Sequence, residues 1–385
     1  MIDSEERRRR LMRRHHLLEG SPPSTSDVVR DLVGLHSSDP TTVFLSLWAR
    51  TGERLDAIEN ALYEDGSLVR LHGMRRTLWV MTGDHAALVQ AGVSSDIAAK
   101  ERRRVVKGLV DAGLGGDPEA WLEERMREAE AVVADRPGIS TREISEAVPG
   151  ASQPVVLGGP KWGGEMPVSS RLLFLLAMEG RIGRGRPAGS WLSSQYAWRP
   201  VEPRPAIDPE EARARLVSDW LGTFGPASFD DIAWWFGWGI RKTRAALGGL
   251  AVDTLAHEGQ ELLVLEGDTE PTPEHPPTAT LLPSLDPSVM GWKQRAWMLG
   301  PHGGSLFDQN GNAGPIALLD GRAVGTWAQG PDGAVIVDLL EEIGSEGETL
   351  IDGVAQQMTD WLGGVVVRPR FPSPASRALA ERLSG

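Results

Sequence analysis

The chain has 385 residues, 41% of them hydrophobic, enough for two or three packed cores, and no cysteine, which excludes disulfides, Cys-type zinc sites and iron–sulfur clusters. Its net charge of −13 seems to argue against a polyanionic partner, but residues 1–200 hold 27 acidic and 27 basic side chains while 201–385 hold 26 and 13. A face for an anionic partner is therefore expected in the first half; with no apolar run of secretory or membrane-spanning length, a cytoplasmic location is expected too.

In chain order, the start MIDSEERRRRLMRRHH reads as a basic helix whose Arg7 to Arg14 run covers both faces, either a clamp for a polyanion or a solvated surface. Ser24-Thr25-Ser26-Asp27-Val28 is a capping-box pattern: the Ser bonds the third amide, the acid reaches back, and an apolar residue begins the buried face. Helices are expected over 27–34, 41–50 and 55–63, the second with apolar residues at Val43, Phe44, Leu47 and Trp48. Asp39 before Pro40 caps that helix. Capping does not account for His36 and Ser38 just before it. They are either turn residues, with His36 bonded to a backbone carbonyl, or part of a site.

SLVRLHGMRRTLWVMTG, broken at His72-Gly73, reads as strand, turn, strand, with Arg75 and Arg76 either on phosphates or in solvent. The capping pattern returns at 140–144 and 228–232, where PGISTREISEAV and GPASFDDIAWWF read like copies of one unit. After the second copy comes a helix and a Gly/Arg-rich segment whose Arg181, Arg184 and Arg186 are backbone-contact candidates or a plain surface loop. The third is followed by a helix in GWGIRKTRAAL and a hairpin in VDTLAHEGQELLVLEG; Trp234, Trp235 and Trp238 fall at helical spacing and are expected in the core. From residue 277 short strands and turns predominate, with an Asn-Gly hairpin tip at Asn310 and Asn312, a helix over 348–362 and a terminal strand in GGVVVRP.

Helices followed by a hairpin make a winged helix. The predicted fold class is thus α+β: three tandem winged-helix units (1–115 with the N-terminal helix, 116–202 and 203–272) and a small antiparallel β-barrel over 273–385. No Walker loop, dinucleotide fingerprint or metal-spaced His cluster is present, so nucleotide hydrolysis and redox chemistry are unsupported.

LVRLHGMRRTLWV, YAWRP, GPASFDDIAWWFG, LLPSLDP and LLDGRAVGTW, in that order over nearly the whole chain, resemble the winged-helix DNA glycosylases typified by AlkZ and YcaQ. The resemblance implies a double-stranded DNA partner, a nucleoid-associated monomer, and excision of alkylated purines, of the N7-alkylguanine type or crosslinks, without metal or cofactor. It also implies a catalytic Gln-apolar-Gln or Gln-apolar-Asp just before the second helix of the first winged helix, where this chain has His36-Ser37-Ser38. His36 could hold or deprotonate water there; Ser38 can only hydrogen-bond it. Trp79 stands where the family's wing carries a His, and the resemblance makes Asn310 and Asn312 minor-groove contacts. The alternative is a non-catalytic winged-helix DNA-binding protein, a damage sensor or regulator, in which loss of the family pair has removed the chemistry.

Overall fold

The computed structural model describes residues 1–18, 20, 23–113, 116–157 and 164–385. Its backbone contacts divide into two compact units: Met1–Leu68 with Val80–Thr82 and Ala214–Gly385, and Val69–Trp79 with Gly83–Arg213.

In the first unit, α1 (Ser4–Arg14) is capped by Asp3, and its arginine run overturns both expectations for it. Arg10 is buried, pairs with Glu6 at 3.0 Å and donates to the carbonyls of Asp268 and Glu270; Arg14 forks onto the Asp268 carboxylate at 2.6 and 2.8 Å. Arg7 lies over the Trp297 ring, 4.3 Å from its centroid. Buried guanidiniums need internal acceptors, so this run is a tie within the fold. α2 (Thr25–Asp31), α3 (Pro40–Thr51) and α4 (Leu55–Tyr63) follow close to the expected positions, burying Val28, Val29, Val43, Phe44, Leu47, Ile58 and Leu62. Between α2 and α3, β1 (Leu35–His36) lies beside β3 (Leu78–Thr82), which is reached from β2 (Leu68–His72) through a turn closed by Gly73 N–H on the Thr77 carbonyl.

The second unit continues with α5 (Gly83–Val89), a π turn over Gln90–Ser94, α6 (Ser95–Asp111), α7 (Pro118–Asp135) and α8 (Thr141–Ala147). The antiparallel pair β4 (Pro154–Leu157) and β5 (Gly164–Pro167) leads to α9 (Val168–Met178), and the Gly/Arg-rich segment forms β6 (Ile182–Pro187) paired with β7 (Tyr196–Pro200). One core joins them, with Leu122, Met126, Ile144, Leu172, Leu176 and Trp198 all buried. The Ser140–Glu143 capping box is complete, as is Ser228–Asp231 in the first unit. At Ser24 the cap serine accepts the Asp27 N–H, while the Asp27 carboxylate takes the Ser24 hydroxyl and Arg30.

The chain then runs through α10 (Pro209–Phe224), α11 (Phe229–Phe236), α12 (Ile240–Leu247) and the hairpin of β8 (Val252–His257) with β9 (Gln260–Leu265). Trp235 and Trp238 are buried, as expected for core positions, and Trp234 is half-buried. After β10 (Ala279–Leu282) come three short helices, α13 (Pro287–Met290), α14 (Ala296–Leu299) and α15 (Gly303–Leu306), then β11 (Ile316–Leu319), β12 (Arg322–Gln329) and β13 (Val335–Leu339). The last segment does not close into the expected barrel. Its strands form an open antiparallel sheet in the order β10-β11-β12-β13. The reason lies in burial: β10 is buried at every position and β12 at all but Arg322, whereas a small barrel alternates packed and wet side chains. Helices cover the sheet, α16 (Gly344–Leu362) on β10 and β13 and α17 (Pro374–Ser384) on β12.

The terminal strand expected in GGVVVRP is also absent. After α16 ends at Gly363, which has φ 55°, Val367 N–H donates to the Gln329 Oε1 at 2.7 Å, and Gln329 Nε2 donates to the Val365 carbonyl at 3.1 Å. A side-chain amide takes these backbone groups, so no ladder propagates. Residues 363–373 form a strap between α16 and α17.

Candidate functional site

His36, Ser38 and Asp39 sit on one bend in the first unit. Gly34, at φ 109°, passes so close to β3 that an added Cβ would lie 2.8 Å from the Met81 side chain and 3.1 Å from the Val80 carbonyl. Val33 before it adopts φ 53°, a left-handed conformation that costs a β-branched residue energy. The bend turns the chain through β1 directly into the first turn of α3.

His36 is 6% exposed. Its Nδ1 accepts the Ser38 backbone N–H at 3.3 Å, which in the neutral ring leaves the proton on Nε2. Ser38 is half-buried, and its carbonyl accepts Arg370 Nη1 at 3.3 Å. Asp39 is 2% exposed and accepts three hydrogen bonds: Oδ1 accepts Thr41 N–H at 3.1 Å and the Thr41 hydroxyl at 2.7 Å, and Oδ2 accepts Arg370 N–H at 2.8 Å. It caps α3, as expected, and ties the strap down as well.

A buried polar network, which the sequence did not single out, holds α3 from behind. Arg50 on α3 grips Asp286 through two hydrogen bonds of 2.9 and 2.8 Å, with both side chains wholly buried. Ser46 donates to the same carboxylate at 2.5 Å, Thr42 donates to the Ser284 carbonyl at 2.7 Å, and Arg50 reaches the Ser288 hydroxyl and the His15 carbonyl. His15 bonds Ser288 at 2.8 Å and stacks on Trp292; burial and the neighbouring Arg50 hold its imidazole well below the ordinary value. The available signal was LLPSLDP, whose Ser284 and Asp286 meet α3 here.

The arginine candidates of the second unit separate. Arg75 and Arg76 occupy the turn after β2 with φ 53° and 67°, both left-handed. Burial pushes the Arg75 guanidinium down to about 10, while Arg76 is exposed and pairs with Glu101 at 3.1 Å. Arg181 is neutralised by Glu130 at 2.6 Å, Glu123 at 3.1 Å and Glu179 at 3.3 Å, an arrangement that reads as structural. Arg184 lies flat on its cross-strand partner Trp198, 3.5 Å from the ring centroid, and burial lowers it to about 10. Arg186 is exposed on the same strand. Nearby, burial followed by the charge of Arg184 pushes His72 down to about 3.

Asn310 and Asn312 lie, in the first unit, in the loop between the bridged residues Phe307 and Ala313. Asn310 is exposed, but Asn312 is held by the Asp308 carboxylate through both its backbone N–H and its Nδ2, at 2.9 Å each. Among the described residues no group of side chains is arranged to hold a metal ion, and no helix is long and apolar enough to cross a membrane.

No curated protein matches the chain. Among solved structures it is similar to the Streptomyces sahachiroi DNA glycosylase AlkZ, with 18% identity, a TM-score of 0.70, and coverage of 96% of this chain and 99% of that one. At that identity the likeness concerns the fold. The family model described as DNA glycosylase AlkZ-like matches residues 29–363, a stretch that takes in the His36 bend, the Arg50–Asp286 network and both arginine-bearing hairpins. The chain therefore belongs to the AlkZ-like DNA glycosylase family.

Proposed function

We propose that the protein is a monofunctional DNA glycosylase that binds double-stranded DNA as a monomer and hydrolyses the N-glycosidic bond of alkylated purines, of the N7-alkylguanine type. What carries the reading is the family match across the bend where this chain has His36-Ser37-Ser38. In this reading the helix-plus-hairpin segments within 1–115, 116–202 and 203–272 act as three winged-helix units, with the exposed Arg76 and Arg186 toward phosphates.

An alkylated purine is already cationic, so its departure needs little protonation, and the enzyme has to steady an oxocarbenium-like sugar and supply a water. In this reading His36 holds or deprotonates that water. The Ser38 hydroxyl accepts from it or donates to it but cannot take its proton. A water meeting a cationic sugar loses its proton readily to solvent, so a strong base at this point is dispensable. The test is incubation with duplex DNA carrying N7-methylguanine, followed by alkali to cut abasic sites. Strand cleavage is expected; wild-type protein that releases no alkylpurine sinks the reading.

One observation favours a binding-only protein instead. Asp39, the carboxylate on the bend, already accepts three hydrogen bonds from Thr41 and Arg370 and serves as the α3 cap, a structural role. The same assay separates the two.

A further inference from the structure

All but the first residue of the strap over 363–373 lies beyond residues 29–363 of the family match. It runs across the His36 bend within the first unit. Its inward side chain is Val367, 3% exposed, while Arg368 and Arg370 alternate outward and are exposed. Arg368 Nη1 is tethered to the Gln329 carbonyl at 3.2 Å, and Ser284 donates to the Phe371 carbonyl at 3.4 Å, so the strap is fixed on both sides of Arg370. Arg370 itself is held twice: its backbone N–H on Asp39 Oδ2 and its guanidinium on the Ser38 carbonyl. Among the described residues neither arginine has a carboxylate partner. A cation is thus held on Ser38, one of the two residues assigned to the reacting sugar, with most of its donors unused.

We propose that Arg370 binds a DNA backbone phosphate next to the reacting nucleotide and positions the Ser38 loop against its sugar. The inference rests on the glycosylase reading for the sugar, and on geometry alone for the phosphate. Phosphates flanking a nucleotide lie within a side chain's reach of its sugar, and a guanidinium fork suits a phosphate oxygen pair. Taking a base out of the stack costs energy, and a clamp on the flanking phosphate, already tied to the loop that meets the sugar, offsets part of that cost. Because Arg370 meets Asp39 through its main chain, replacing the side chain leaves that tie intact.

The test uses the full chain with Arg370→Ala and Arg370→Lys, a duplex carrying one N7-methylguanine and the same duplex undamaged. Binding to the undamaged duplex is measured against salt, excision at single turnover and at steady state, and Tm for each variant. Arg370→Ala is expected to flatten the salt slope by about one, slow single-turnover excision by roughly 10-fold to 100-fold, and leave Tm unchanged. Arg370→Lys is expected to keep the slope but recover excision only in part, because the ammonium lacks the planar fork that holds the phosphate in one orientation while bonded to the Ser38 carbonyl. An unchanged slope with Arg370→Ala overturns the phosphate contact, whether or not Tm falls. A flattened slope with unchanged excision overturns the positioning role. If wild-type protein excises nothing, the glycosylase reading and the positioning role both fail, while the salt slope still decides the phosphate contact.

Discussion

At the scale of single residues, the proposed function divides the bend from Gly34 to Asp39 into residues at the reacting sugar and a residue that supports them. In the proposed reading, His36→Ala is expected to lower N7-methylguanine excision by roughly 100-fold or more, and Ser38→Ala by less, both read at single turnover on folded protein. Asp39 is a different case. It accepts three hydrogen bonds while 2% exposed, so Asp39→Ala strands the Thr41 and Arg370 amides together and is expected to cost about 2 kcal/mol, more than the loss of a cap alone. Urea denaturation checks this; a loss under about 0.5 kcal/mol would show that the strap does not depend on Asp39.

At the scale of elements, α3 is the piece that carries the bend, and its position is set by charge as well as by packing. Arg50 and Asp286 are wholly buried, and a buried pair that loses one member leaves an uncompensated charge. Asp286→Ala is therefore expected to cost about 3–5 kcal/mol, and joint replacement by Arg50→Met and Asp286→Leu to recover most of it, as a double-mutant cycle in denaturant would show. The hairpin of β6 and β7 carries a second electrostatic feature. Its Arg184 lies near His72, whose imidazole is held neutral by burial with a value of about 3. A base whose folded value lies below its unfolded value of about 6.5 contributes full stability above pH 6.5 and loses it as pH falls toward 3. Stability is expected to decline from pH 7 to pH 4.5, with His15 acting in the same direction, and His72→Gln to flatten that decline. A slope identical to wild type would mean that His72 is not the group responsible.

At the scale of the whole molecule, the acidic total hides an uneven distribution. Residues 1–200 balance 27 acids with 27 bases, and what matters for a phosphate chain is which of those bases the fold leaves outward. Arg181 faces three glutamates, whereas Arg186 is exposed. Arg181→Ala is expected to leave the salt dependence of duplex binding unchanged, and Arg186→Ala to reduce its slope by about one. Equal effects from the two variants would contradict that separation. The same principle governs the N-terminal arginines, which the fold has turned into internal ties to Asp268 and Glu270.

Local signals in the sequence were enough for most elements, because capping and apolar spacing act over a single helical turn. The Ser140 and Ser228 boxes, the α3 helix behind Asp39-Pro40, and the β8–β9 hairpin all form where those short-range rules put them. The sequence also marked His36 and Ser38 as residues that capping left over. What it could not supply were partners far apart along the chain. Asp39 meets Arg370, Arg50 meets Asp286, and Gln329 replaces a strand for Val367, each across more than thirty positions. The open sheet in place of a barrel has the same origin, since closure depends on which surfaces α16 and α17 cover, and strand spacing contains no information about that. Local patterning therefore determined the elements and the candidate bend. Only the tertiary structure, where a buried charge is costly without a partner, decided which arginines face inward and which side chains hold the bend in place.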